Sequence, residues 1–180
     1  MEDRQSEVVG EVRAGRGPVD PRDPEIAIAD LLSVRISRLA RTVDRQSRRI
    51  LGEEFGISLE QWRCLALLCE RGPMNGITLS EINDVDASLT SRALRGLAEM
   101  GLVSWEGGTV RRAAGAAYAT GEGKAFFGRV VPMMRARHRG LSASLDDEAL
   151  RAFYAACDML ATRMDEGWSL PDKTDRDNAS

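Results

Sequence analysis

Apolar positions recur along the chain in short runs at helical spacing, punctuated by Gly, Pro and small polar clusters, and the period changes near the middle. From Asp86 to Met100, the residues Thr90, Ala93, Leu94 and Leu97 share one arc at about 100° per residue, with Leu89 and Met100 at its border. The opposite arc carries Ser88, Ser91, Arg92, Arg95 and Glu99. Asp86 starts this helix, and Gly101 supplies the left-handed stop that ends many helices. Ahead of it, Thr78-Leu79-Ser80-Glu81 has the form of a capping box and predicts the start of a first, shorter helix. Behind it, Leu102-Val103-Ser104-Trp105 reads as a strand and Glu106-Gly107-Gly108 as a turn. Thr109 onward reads as a returning strand with Arg111 and Arg112 near its start.

The flanks are helical. Pro24 suits a first turn, and a long helix is expected from there to about Glu54, with Leu32, Ile36, Leu39, Val43 and Ile50 as its apolar seam. Ser58-Leu59-Glu60-Gln61 is a second capping box, opening a helix through Trp62, Leu65 and Leu68 to Gly72-Pro73. Ile77-Thr78 is expected as a short strand beside the hairpin. Thr120 caps a helix to about His138 that contains Pro132, and a last amphipathic helix runs from Glu148 to about Met164. The fold class is therefore mainly α with a small β wing: a winged helix-turn-helix lobe plus a helical region. The two ends of the chain each carry an apolar side that needs cover, which suggests pairing with a second subunit.

These patterns divide the chain into an arm over residues 1–23, helical dimerisation segments over 24–56 and 121–168, a DNA-binding lobe over 57–120 and a tail over 169–180. Close spacing of Gly15, Gly17, Pro18, Pro21 and Pro24 excludes a running helix or strand in the arm, which reads as disordered, as does the polar tail.

Charge sharpens the picture. The formal net charge of −3 over 180 residues argues against a protein that coats nucleic acid without regard to sequence, and leaves room for a reader with a local basic surface. Arg35, Arg38, Arg41, Arg45, Arg48 and Arg49 crowd the first long helix with Asp44 as the one acid among them. Such a stripe is a solvated face, a surface near DNA phosphate, or a grip for an anionic small molecule. Cys64, Cys69 and Cys157 have no metal or disulfide spacing, which points to a reducing compartment and no zinc site. No apolar run approaches the roughly 18 residues that span a membrane, so a cytoplasmic protein is expected. Catalysis is not expected: His138 has no evident carboxylate or nucleophile partner, and no phosphate loop, cofactor motif or metal spacing occurs.

Taken together, these residues resemble the MarR family of bacterial winged helix-turn-helix transcription regulators. Ser58 to Leu68 is similar to the family's second helix. Asp86-Ala87-Ser88-Leu89-Thr90-Ser91-Arg92, followed by Leu97 and Gly101-Leu102-Val103, is similar to its recognition helix and exit. Thr120 with Gly123 stands where its post-wing helix begins. The resemblance spans about residues 30 to 165. It implies a homodimer on a palindromic double-stranded operator, with a small-molecule site between the dimerisation helices and the DNA-binding lobe. Three features depart from the pattern. The family's wing carries an Asp before two Arg, where this chain has Val110-Arg111-Arg112. The segment Ile82-Asn83-Asp84-Val85 lacks the usual Gly of the turn. No Cys stands near the start of the first helix, where peroxide-sensing members carry theirs.

The reading that follows is a DNA-binding regulator, a repressor released by an anionic effector such as an aromatic acid or a coenzyme A thioester. Ser88, Leu89, Ser91, Arg92, Arg95, Arg111 and Arg112 are its DNA-binding candidates. Arg35, Arg38, Arg41 and Arg45 would grip the effector's charge, with Trp62 lining its apolar part, because guanidinium groups hold carboxylates and phosphates in a two-point geometry. Two rivals stand beside it. One is a dimeric interaction module without DNA binding, motivated by four Arg against five acids in residues 78–112. The other is a redox-responsive regulator using Cys64 and Cys69, which five residues apart on a helix do not share a face.

Overall fold

The computed structural model of the chain describes residues 19–105 and 115–167. Six helices and a two-stranded sheet occur among them: α1 (Leu32–Phe55), α2 (Leu59–Arg71), α3 (Gly76–Asn83), α4 (Ala87–Glu99), β1 (Val103–Trp105), β2 (Ala117–Ala119), α5 (Gly121–Ser142) and α6 (Asp147–Asp165). The chain divides into two compact units, Met1–Lys124 and Ala125–Ser180, so that α5 crosses the boundary.

In the first unit, α1 begins later than the sequence suggests. Ahead of it lies only a 3₁₀ turn, Ile28–Asp30, and Leu31 is extended with ψ 140°. Asp20 Oδ1 accepts from the Arg22 N–H at 2.9 Å and Asp23 Oδ1 from the Glu25 N–H at 2.8 Å, so the chain ahead of the 3₁₀ turn is folded into aspartate turns. Asp30 then pairs with Arg35 at 2.8 Å, joining the 3₁₀ turn to α1. Gly56, at φ 67°, ends α1.

The capping box at Ser58 is present in both directions. The Ser58 Oγ accepts from the Gln61 N–H at 3.1 Å and the Ser58 N–H donates to Gln61 Oε1 at 2.8 Å. Gln61 also sits against Gly96 of α4, where a Cβ would run into its side-chain amide, so the missing side chain at Gly96 lets α4 lie close on α2.

Helix α3 starts at a different cap from the expected Thr78. Asn75 Oδ1 accepts the Thr78 N–H at 2.8 Å, which makes Thr78 the third helical residue. Ile77-Thr78 is accordingly helical and not a strand. The extended residue is Met74, whose N–H and C=O exchange bonds of 3.0 and 2.8 Å with Ala117. Asn ranks above Thr as an N-cap, and an extended Met74 delivers the chain to Asn75 in the conformation a cap needs.

The sheet pairs β1 with β2 antiparallel, Ser104 opposite Tyr118. Thr120 ties its exit to the end of α4. The hydroxyl donates to the Gly101 carbonyl at 2.7 Å and accepts from the Gly123 N–H at 3.0 Å, while the Thr120 N–H donates to the Leu102 carbonyl at 3.1 Å. Full burial of Leu51, Leu65, Leu79 and Leu97 centres the core, each contributing about 2 kcal/mol.

In the second unit, α5 runs past the expected His138 to Ser142 with Pro132 inside it, and Asp146 caps α6 by accepting the Ala149 N–H at 2.8 Å. Phe153, Tyr154, Met159 and Met164 of α6 are exposed. So are Leu32, Ile36 and Leu39 in the first half of α1, although the second half buries Ser47 and Leu51.

A Cβ at Gly123 would collide with the backbone carbonyl of Leu102, while one at Gly121 meets nothing. Gly123→Ala is therefore expected to destabilise the protein by about 1–3 kcal/mol, and Gly121→Ala to leave it near wild type. Thermal unfolding of the two variants side by side checks this, and equal midpoints would contradict it.

Candidate nucleic-acid interface

Helix α4 divides as its periodicity predicts. Thr90, Ala93, Leu94 and Leu97 are buried, and Ser88, Leu89, Ser91, Arg92 and Arg95 are exposed. Asp86 caps the helix, its Oδ1 accepting from the Ser88 N–H at 2.7 Å, and the hydrogen bonds from Ser88 hold this carboxyl below its ordinary range. Arg95 folds back along the helix, Nε donating to the Ser91 carbonyl at 3.4 Å. The exposed arc thus presents two hydroxyls near the helix start and two guanidinium groups one turn further on.

The α3–α4 turn is made without glycine. Asp84 takes the left-handed conformation, φ 50° and ψ 51°, the only positive φ at a non-glycine residue among those described. Aspartate tolerates this region better than most residues because its short side chain can bond locally. The departure in the Ile82–Val85 segment is therefore a substitution of one turn former for another, and the two helices keep a tight connection. Arg111 and Arg112, the turn Glu106-Gly107-Gly108 and the start of the returning strand lie outside the described residues.

The arginine stripe of α1 separates into parts. Arg35 is paired with Asp30 and lines a pocket of about 310 Å³ with Val19, Pro21, Ile26, Asp30 and Leu32. Arg41, Asp44, Arg45 and Arg48 line a groove of about 530 Å³. Arg38 is exposed and lines neither, and Trp62 is buried in the core, outside the groove lining. Of the five residues expected at a ligand site, Arg35 lines the first pocket, and Arg41 and Arg45 share the groove. Arg48 and Asp44 join them, and both are tied to α2. Arg48 Nη2 meets Glu60 Oε1 at 2.6 Å, and Asp44 Oδ1 meets Arg63 Nη2 at 2.9 Å. The isolated acid among the arginines was the sequence signal for Asp44. Its partner on the next helix carried none.

Burial pushes the Cys64 thiol up to about 11, with the Glu60 carboxylate adding to the shift, and burial also raises Cys69. A redox-sensing thiol needs the reverse, a stabilised thiolate. Among the described residues no cluster of His, Cys, Asp and Glu could hold a metal, and no helix is long and apolar enough to cross a membrane.

Residues 57–106 match a family model described as MarR family. No curated protein matches the chain. Solved structures do. A MarR family transcriptional regulator from Silicibacter pomeroyi is 27% identical with a TM-score of 0.64, over 77% of this chain and 93% of that one. MepR of S. aureus in complex with DNA is 14% identical with a TM-score of 0.65, over 77% and 99%. NadR in complex with 4-hydroxyphenylacetate is 20% identical with a TM-score of 0.64, over 76% and 98%.

The Cys64 shift carries a pH dependence. A thiol of ordinary value 9.0 that is held near 11 in the folded state contributes stability fully present below about pH 9 and lost as pH rises from 9 toward 11, because only the unfolded chain ionises there. The loss attributable to Cys64 is about 2–3 kcal/mol. Urea unfolding at pH 7.5 and 10.5 should show a smaller alkaline loss in Cys64→Ala than in wild type, and identical losses would refute the assignment.

Proposed function

We propose that this chain, which carries the MarR family domain over residues 57–106 and the winged helix-turn-helix fold of MarR regulators, is a dimeric, sequence-specific DNA-binding repressor released from its operator by a small anionic effector. The observation that carries the reading is the division of α4. Its apolar arc is committed to the core, which leaves Ser88, Leu89, Ser91, Arg92 and Arg95 on an exposed arc at the end of a short helix pair. Hydroxyls and guanidinium groups so placed suit phosphate oxygens and base edges in a major groove. Arg111 and Arg112 would add phosphate contacts from the wing. MepR, of the same fold, is a DNA complex by its description, which supports the DNA partner.

Dimerisation rests on exposed apolar surface. Leu32 is 58% exposed and Met164 70%, and the helices that carry them lie in residues 24–56 and 121–168, the proposed dimer region. A two-fold axis would set two copies of α4 about 34 Å apart, one turn of the duplex, and so call for a palindromic operator. The effector proposal rests on the groove of Arg41 and Arg45, and NadR, bound to a carboxylate, is a protein of this fold that takes such a ligand. MarR family members are transcription regulators and not enzymes.

Fluorescence anisotropy with duplex DNA from upstream of the chain's own gene tests the DNA assignment. Arg92→Ala is expected to cost about 1–3 kcal/mol of operator affinity if it meets a base edge bidentately, with smaller losses for Ser88→Ala and Ser91→Ala. Affinity unchanged in both Arg92→Ala and Arg95→Ala would remove α4 from the interface. In light scattering, a mass of twice 19.7 kDa is expected at micromolar concentration, and a 19.7 kDa species would overturn the dimer.

A further inference from the structure

Four residues of α1 line the groove, and they fall into two kinds. Arg41 and Arg45 stand one helical turn apart, and neither guanidinium has a partner among the described residues. Like charges at this spacing repel, so the pair raises the energy of the helix until an anion is placed between them. Asp44 and Arg48 are instead engaged, each across to α2: Arg48 with Glu60 at 2.6 Å, and Asp44 with Arg63 at 2.9 Å. The floor that would receive a ligand is therefore made partly from the two ion pairs that join α1 to the first helix of the DNA-binding lobe.

Resting on the effector reading above, we infer that an organic carboxylate seats on Arg41 and Arg45, draws on Arg48 beside them and loosens the Arg48–Glu60 and Asp44–Arg63 clasp, so that occupancy of the groove is read as a change in how α1 holds α2. Three observations support the step. Of the groove lining, Arg48 is answered by Glu60 and Asp44 by Arg63, so Arg41 and Arg45 are left as two uncompensated positive charges for an anion to meet. Both ion pairs are partly exposed, the Arg48 side chain 54% and the Arg63 side chain 35%, so each is weak enough to be traded. Glu60 also has somewhere else to turn. It sits in the first turn of α2, where the helix N-terminus favours a carboxylate, and although burial pushes it up, its backbone N–H and Arg48 outweigh that and hold it below its ordinary range. A shared cation with a separately stabilised rival is a switch element, because the incoming anion and Glu60 compete for Arg48. By linkage, the factor by which a bound anion weakens the Arg48–Glu60 pair is the factor by which that pair weakens the anion.

Benzoate is the probe, titrated calorimetrically into the full chain at fixed chloride. The double variant Arg41→Ala, Arg45→Ala is expected to weaken benzoate at least about tenfold, or 1.4 kcal/mol. Glu60→Gln is expected to tighten it by about fivefold or more, the lower end of ordinary coupling. In an Arg48→Ala background the effect of Glu60→Gln should vanish, which a merely structural role of Glu60 at the helix start would not produce. Thermal melts of each variant confirm that the fold is kept. If benzoate binds and needs Arg41 and Arg45 while Glu60→Gln leaves its affinity unchanged, the clasp is overturned and the effector site stands. If wild type and the double variant bind benzoate alike, or neither binds it at millimolar concentration, the effector site itself is overturned.

Discussion

Among the described residues the contact between α2 and α4 is the most extensive between helices, and the placement of the exposed arc follows from it. Leu94 and Leu97 turn inward with Ala93 and Thr90, and Gly96 leaves room for the Gln61 side-chain amide against α4. Once that face is sealed, the helix cannot rotate without exposing leucine to water at about 2 kcal/mol apiece, so Ser88, Ser91, Arg92 and Arg95 are held outward. The Ser58–Gln61 capping box shares a residue with this contact. The same amide that closes the start of α2 is the one Gly96 accommodates, which links helix initiation to helix packing.

A second constraint lies at the other end of α4. Gly101, Leu102, Thr120 and Gly123 form a knot of main-chain and hydroxyl bonds that joins α4, the strand pair and α5. Its parts have little freedom: Thr120 serves two partners with one hydroxyl, and Gly123 leaves no room for a side chain. A displacement of α5 at its first turn would be felt at Leu102, one residue beyond the left-handed stop of α4. Two physical routes therefore reach α2 and α4 from their neighbours, this knot and the ion pairs from α1 to α2.

Both routes involve modest energies. The ion pairs are partly exposed and screened by salt, and the apolar seam of α1 is uncovered over Leu32, Ile36 and Leu39 while the far half is anchored by Leu51. A helix held firmly at one end and by exchangeable charges along its side can respond to a ligand without unfolding the core around Leu65, Leu79 and Leu97.

How much of this was legible beforehand varied with how local its cause was. The division of α4 into buried and exposed arcs, the Ser58 and Asp86 caps, the Gly101 stop and Thr120 as a cap all follow from side-chain period and from hydrogen bonds within four residues, and the sequence contains both partners of each. The late start of α1 was not legible: Asp23 and Pro24 both suit a helix start, yet the chain passes through a 3₁₀ turn and an extended Leu31 before the helix begins. The strand pairing of Met74 could not be read, because its partner Ala117 lies more than forty residues on and only the tertiary fold brings the two together. The same holds for the groove. The sequence shows six arginines on one helix, yet which of them are paired depends on carboxylates elsewhere: Asp30 takes Arg35 and Glu60 takes Arg48, and of the four without an ion pair among the described residues Arg41 and Arg45 line the groove. Period decides which side of a helix a residue occupies. Charge pairing across helices depends on distance in space, so the choice among like residues on that side was made by the tertiary structure alone.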